Sequence, residues 1–214
     1  MKNRIIFSIL VLFCSFSMVK AQQQNKVPVT VSYSTEVLMD EFDMHLYQAA
    51  QHFISFEDEQ ASEEIKKAAF YISMQAYNLK GDYKKPFLAL ENKLIELSVN
   101  IETGKIVNIQ QLVKSYAESH LVLAKFYIEL SNEFYSKNDA INSLIFLDAA
   151  GSYLMLGSKW VGFEVGQGTR STRKSIANLV TAANSRNEIN NTELKKVLDF
   201  INKEIKKFDS FLTK

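Results

Sequence analysis

From residue 36 onward, apolar side chains recur at three- and four-residue intervals. That period belongs to the α-helix, where positions i, i+3, i+4 and i+7 share a face. The spacing predicts seven helices, at roughly 36–55, 58–79, 86–103, 108–136, 139–159, 169–186 and 192–213. The breaks between them have physical causes. Asp58 and Asp139 can accept bonds from the free amides of a first helical turn. Pro86 suits a first turn because it has no N–H to lose. Gly81 and Gly104 follow helical runs, where the chain needs a left-handed residue. The last helix is the clearest. Leu194, Val197, Leu198, Ile201, Ile205, Phe208 and Leu212 form one stripe, with Lys195, Lys196, Lys203 and Lys206 off it. The fourth is apolar nearly all round from Leu121 to Leu130, which predicts a central place among the others.

Ahead of the helices the pattern changes. Met1-Lys2-Asn3-Arg4 is a short basic start, and Ile5 to Val19 is an apolar run interrupted by three serines. Val19-Lys20-Ala21 then has the spacing of a cleavage site, so residues 1–21 read as a secretory signal peptide. The run is shorter than the ~20 residues that span a bilayer. Residues 22–35 begin with Gln22, Gln23 and Gln24 and then alternate Val29, Val31 and Tyr33, an expected extended tether. Cleavage after Ala21 leaves a periplasmic or secreted chain with no integral membrane span. It also removes Cys14, the one cysteine, so neither a disulfide nor a thiolate metal site remains. Such a chain depends on its core, which residues 36–214 are long enough to form as one helical domain. The mature charge is −2, from 22 basic and 24 acidic residues. That argues against a nucleic-acid partner.

An internal repeat organises the domain. Shifting the chain by 81 residues places Phe53-Ile-Ser55-Phe-Glu-Asp58 on Phe134-Tyr-Ser136-Lys-Asn-Asp139. Ser62 then faces Ser143, Ala68-Ala69 faces Ala149-Ala150, Met74 faces Met155, and Gly81 faces Gly162. Each copy is a helical hairpin whose paired alanines let two helices approach closely. The expected fold is all-α: a compact bundle of about seven helices. It consists of a duplicated three-helix unit, halves about 36–108 and 115–190, closed by the helix at 192–213. The aromatic-Ser-x-x-Asp turn followed by paired alanines resembles tetratricopeptide-like hairpins. With the signal peptide and this length, the chain resembles the YfdX family of exported helical proteins. That resemblance implies a stress-associated, all-helical protein without established catalytic residues, and it carries no site residue over.

Candidate chemistry is sparse. His45 and His52 lie two turns apart, ~10 Å along a helix, too far to share a metal. Glu41 and His45 could chelate one if His120 came near, but a metal-binding spacing is missing and no cofactor is expected. The acidic groups Asp40-Glu41-Asp43 and Glu57-Asp58-Glu59 suit helix starts. The least ordinary stretch is 157–174, with four of the seven glycines and Trp160, the one tryptophan. Glycines before a helix can turn amides toward an anion. Arg170, Arg173 and Lys174 open the next helix against its dipole. A small anionic ligand would therefore sit against Trp160, Arg170, Arg173 and Lys174; the plainer alternative is a bent connector with solvated cations. No nucleophile–base set is visible, so an enzyme is not expected. The leading expectation is a non-catalytic exported protein that binds a protein partner or forms a homo-oligomer, acting in envelope stress protection. The alternative is a carrier of an anion or amphipathic molecule at 157–174.

Overall fold

Asp40 opens the first helix. Its carboxylate accepts the Asp43 amide, and its own amide donates to the Asp43 carboxylate, a reciprocal capping box. From there the computed structural model describes residues 40–77, 79, 81–106, 108–166, 169–185 and 189–214. The side chains of Thr169, Arg170, Ser171, Arg173 and Asn184 are not among what it describes. The expected signal peptide (1–21) and tether (22–35) lie outside the described residues.

Among the described residues seven α-helices follow one another: α1 Glu41–Ile54, α2 Asp58–Tyr77, α3 Lys84–Glu102, α4 Ile109–Ser136, α5 Ala140–Trp160, α6 Thr169–Asn184 and α7 Asn191–Leu212. No strand occurs among the described residues. The fold is an all-α helical bundle, as the periodicity predicts. Pro86 lies in the first turn of α3, where its missing N–H leaves no bond unmade.

α4 is the shared wall of two apolar clusters. Leu112, Tyr116, Leu123 and Phe126 face the cluster built by α1, α2 and α3. Ala117, Leu121, Ala124 and Ile128, on the opposite face, join the cluster of α5, α6 and α7. At 28 residues α4 is ~42 Å long and reaches across both. The most apolar helix, however, is α5. Its length and composition would allow it to cross a membrane. Here it packs along α4 and under α7, burying Leu144, Leu147, Ala150 and Leu154.

The two hairpins correspond, but one residue out of the expected register. The α1–α2 turn bonds Glu57 N–H to His52 O and Ala61 N–H to Glu57 O. The α4–α5 turn bonds Asp139 N–H to Phe134 O and Ser143 N–H to Asp139 O. These pairs differ by 82, not 81. The left-handed residue of each turn, Phe56 or Asn138, obeys the same offset. So do the buried positions: Ile65 matches Leu147, Ala68 matches Ala150, and Ile72 matches Leu154. The identities at 81 therefore pair residues that do different jobs. Asp139 caps α5 from outside, whereas Asp58 is already the first residue of α2. The offset of 82 also joins Asn108, the cap of α4, to Asn190, the cap of α7. The third helices diverge: α3 lies along α2, while α6 meets α5 only locally and α7 crosses the α4–α5 pair.

Candidate functional site

The stretch singled out in the sequence divides between core and surface. Gly157 lies inside α5, buried against α4. A Cβ there would stand 2.7 Å from the His120 Cβ and 3.2 Å from the Ala117 carbonyl oxygen. Glycine is what lets the two helices touch. Trp160, the last residue of α5, packs edge-on against Tyr116 with centroids 5.1 Å apart. Phe163 packs on Phe208 and Phe211, each at 5.1 Å. Lys174 is exposed on α6. The backbones of Arg170 and Arg173 fall in the first turns of α6, but their side chains lie outside the description. No described contact joins Trp160 to Lys174.

One amide of this stretch does turn to an anion. The Gly166 N–H donates to Glu204 Oε2 at 2.9 Å, and that carboxylate is supplied by α7. Glu204 is 1% exposed and pairs with Lys207 at 2.5 Å. Burial pushes its pKa up, but the bonds from Lys207 and the Gly166 amide outweigh that and hold it below the usual range. The glycine-rich stretch thus carries its own counter-anion.

A second constellation was not evident in the sequence. Where α1 begins, it meets α2, α4 and α5. Asp43 Oδ1 lies 2.5 Å from His120 Nε2, and His120 Nδ1 lies 2.7 Å from the Tyr116 carbonyl oxygen. A carbonyl only accepts, so Nδ1 carries a proton. The Nε2–Oδ1 contact holds one more between imidazole and carboxylate. Both side chains are fully enclosed. Beside them the Tyr153 hydroxyl donates to Asp40 Oδ2 at 2.6 Å, and Tyr153 stacks on Tyr127 at 5.4 Å and 8°. Burial lifts Asp40 to about 6, the Asp43 charge adds to this, and the Tyr153 bond opposes it. Burial also raises the Tyr71, Tyr127 and Tyr153 hydroxyls, with the Asp40 charge contributing to each. Tyr116 is enclosed too, and its hydroxyl has no hydrogen-bond partner among the described residues.

The arrangement resembles a base with its orienting carboxylate. Yet its imidazole has both nitrogens engaged and no route to solvent, so it serves as a buried clamp between α1 and α4. The other histidines have separate partners: His45 pairs with Glu64 at 2.6 Å and His52 with Glu57 at 2.5 Å. The envisaged union of Glu41, His45 and His120 is not formed. Among the described residues, no three His, Cys, Asp or Glu side chains converge as a metal site would need.

Two surface features remain. Large apolar side chains stand in solvent on the outer faces of the first three helices. They include Ile54, Phe56, Phe70, Met74 and Tyr77, with Phe56 93% and Tyr77 81% exposed. Phe70, Met74 and Tyr77 follow i, i+4, i+7 spacing on one side of α2, away from its buried stripe. Phe56 holds φ +60°, a left-handed conformation that is uncommon for a bulky residue. The second feature is an open furrow of ≈ 480 Å³ along α7. Phe163 and Phe211 form part of it, with Lys203, Lys206, Lys207 and Lys214 around them. No family model, curated protein or solved structure matches this chain.

Proposed function

We propose that this is an exported, non-catalytic protein that works by protein–protein association through the outer faces of α1 and α2. The exposed apolar stripe carries the reading. Ile54 and Phe56 stand exposed at the start of α2 and Phe70, Met74 and Tyr77 toward its end, and monomers rarely leave so much apolar surface in water without use. Phe56 adds weight. At the equivalent turn the chain uses Asn138, which tolerates a left-handed backbone far better. A phenylalanine there accepts strain for the sake of an aromatic tip. Sealing of the Asp43–His120 pair supports the non-catalytic half of the reading. Export rests on residues 1–21, and a role in envelope stress protection rests on the family resemblance.

Recovering the protein from its source tests both halves. The exported form begins at Gln22, and native mass spectrometry finds it carrying a protein partner or another copy of itself. A chain that retains Met1 contradicts export, and a bare single chain contradicts association. A second reading, a small amphipathic anion held beside 157–174, draws support from the furrow where Phe163 meets Lys203 and Lys206.

A further inference from the structure

The lysines of α7 do not serve the fold equally. Lys207 pairs with Glu204, Lys195 with Asp199, and Asp209 is held by Lys125 of α4. Lys196, Lys203, Lys206 and Lys214 form no direct ion pair among the described residues, although the Lys203 charge helps to lower the Glu204 pKa. Lys196, Lys203 and Lys206 lie on the side of α7 opposite its buried stripe of Leu194, Leu198, Ile201, Ile205 and Phe208, and Lys214 follows just past the helix end. From Lys196 to Lys206 they extend ~15 Å along the helix. Phe200 and Phe211 lie on the edge of the same face, and Phe163 joins Phe211 from the segment between α5 and α6. The acidic residues nearby are Glu164, Glu193, Asp199, Glu204 and Asp209; the last three are the paired ones.

We infer that this face of α7 docks on an anionic lipid surface. Three observations favour a bilayer over a compact ligand. The furrow is open along the helix, so nothing encloses a small molecule. Every described cation on the face is lysine, a point charge suited to a diffuse planar field rather than the forked arginine contact that singles out one anion. The phenylalanines flank the lysines, where rings can enter the headgroup region while ammonium groups stay in water. The distribution of charge over residues 40–214 orients the contact. Residues 40–104 hold 12 acidic and 6 basic side chains, net −6, whereas residues 105–214 hold 11 and 15, net +4. An anionic surface attracts the α7 end and repels the other. The apolar faces of α1 and α2 would then point away from the lipid. This goes beyond the association reading and does not depend on it.

Vesicle sedimentation tests the assignment. Both apolar clusters are built from residues after Asp40, so a chain beginning at Gln22 keeps the fold and lacks the apolar leader. It should sediment with phosphatidylcholine vesicles containing phosphatidylglycerol, not with phosphatidylcholine alone, and salt should release it. Each unpaired lysine removed should lower partitioning about fivefold. The triple variant Lys203→Gln, Lys206→Gln, Lys214→Gln should therefore fall about a hundredfold, with an unchanged circular dichroism spectrum. Lys114→Gln should bind as wild type does. Equal binding by wild type and triple variant overturns the proposal, as does equal binding to both vesicle types. Failure of the vesicles alongside lysine-dependent binding of decanoate, or of polyglutamate, also overturns it, in favour of a small amphipathic anion or an acidic protein.

Discussion

Asp40 carries two loads at once: it caps α1 and accepts the Tyr153 hydroxyl. Its surroundings resist its charge, so its folded pKa of about 6 lies above the 3.8 of an aspartate in water. The sign follows from proton counting. Between those values the folded chain holds more proton than the unfolded one, so this group's contribution to stability falls as pH rises. Asparagine caps as well as aspartate and has no charge to bury. Asp40→Asn is expected to stabilise the fold by ~1–2 kcal/mol at pH 8 and by nothing comparable at pH 4. Urea midpoints at the two pH values read this directly. An equal difference at both would mean that the carboxylate is not under strain. The clamp beside it, Asp43 with His120, spans 77 positions of sequence. Its parts were legible only as an acidic group suited to a helix start and as one of three histidines. Their meeting was not, because it depends on how α1 crosses α4.

Among the elements, α5 shows how one helix uses glycine in two ways. At Gly151 an added Cβ would meet only Ile201 Cδ1, at an ordinary 3.7 Å. At Gly157 it would press into His120 and the α4 backbone. Gly151→Ala should therefore raise stability by ~0.5–1 kcal/mol through helix propensity. Gly157→Ala should lower it by ~1–3 kcal/mol through overpacking. Melting midpoints that move in the same direction would contradict this account of the α4–α5 contact. Helix positions were legible because their causes are local: capping Asp139, Pro86 in a first turn, and the stripe of α7. The repeat register was less so. Ser55 and Ser136 match by letter, but Ser136 still belongs to α4 whereas Ser55 already caps α1. A one-residue slip costs nothing in identities, yet it turns every side chain by ~100°. The stretch at 157–174 was legible only in part for a related reason. Periodicity ended the fifth helix at 159, but glycine alone could not reveal that Gly157 faces a neighbour, nor that Glu204 would reach Gly166.

At the scale of the molecule, the chain divides its surface. The α1–α3 end is acidic and carries most of the large exposed apolar side chains; the α7 face is basic with aromatic edges. Charge keeps such a protein oriented, and uncovered apolar area gives it something to hold. The central claim is that the α1–α2 face is an interface. Placing a photoreactive phenylalanine analogue at Phe56, Phe70 or Tyr77 and irradiating the source cells tests it most directly. The account predicts one discrete cross-linked species shared by all three positions and absent when the analogue replaces Lys114 on α4. Three positions that yield no adduct, or the same adducts as position 114, would contradict it.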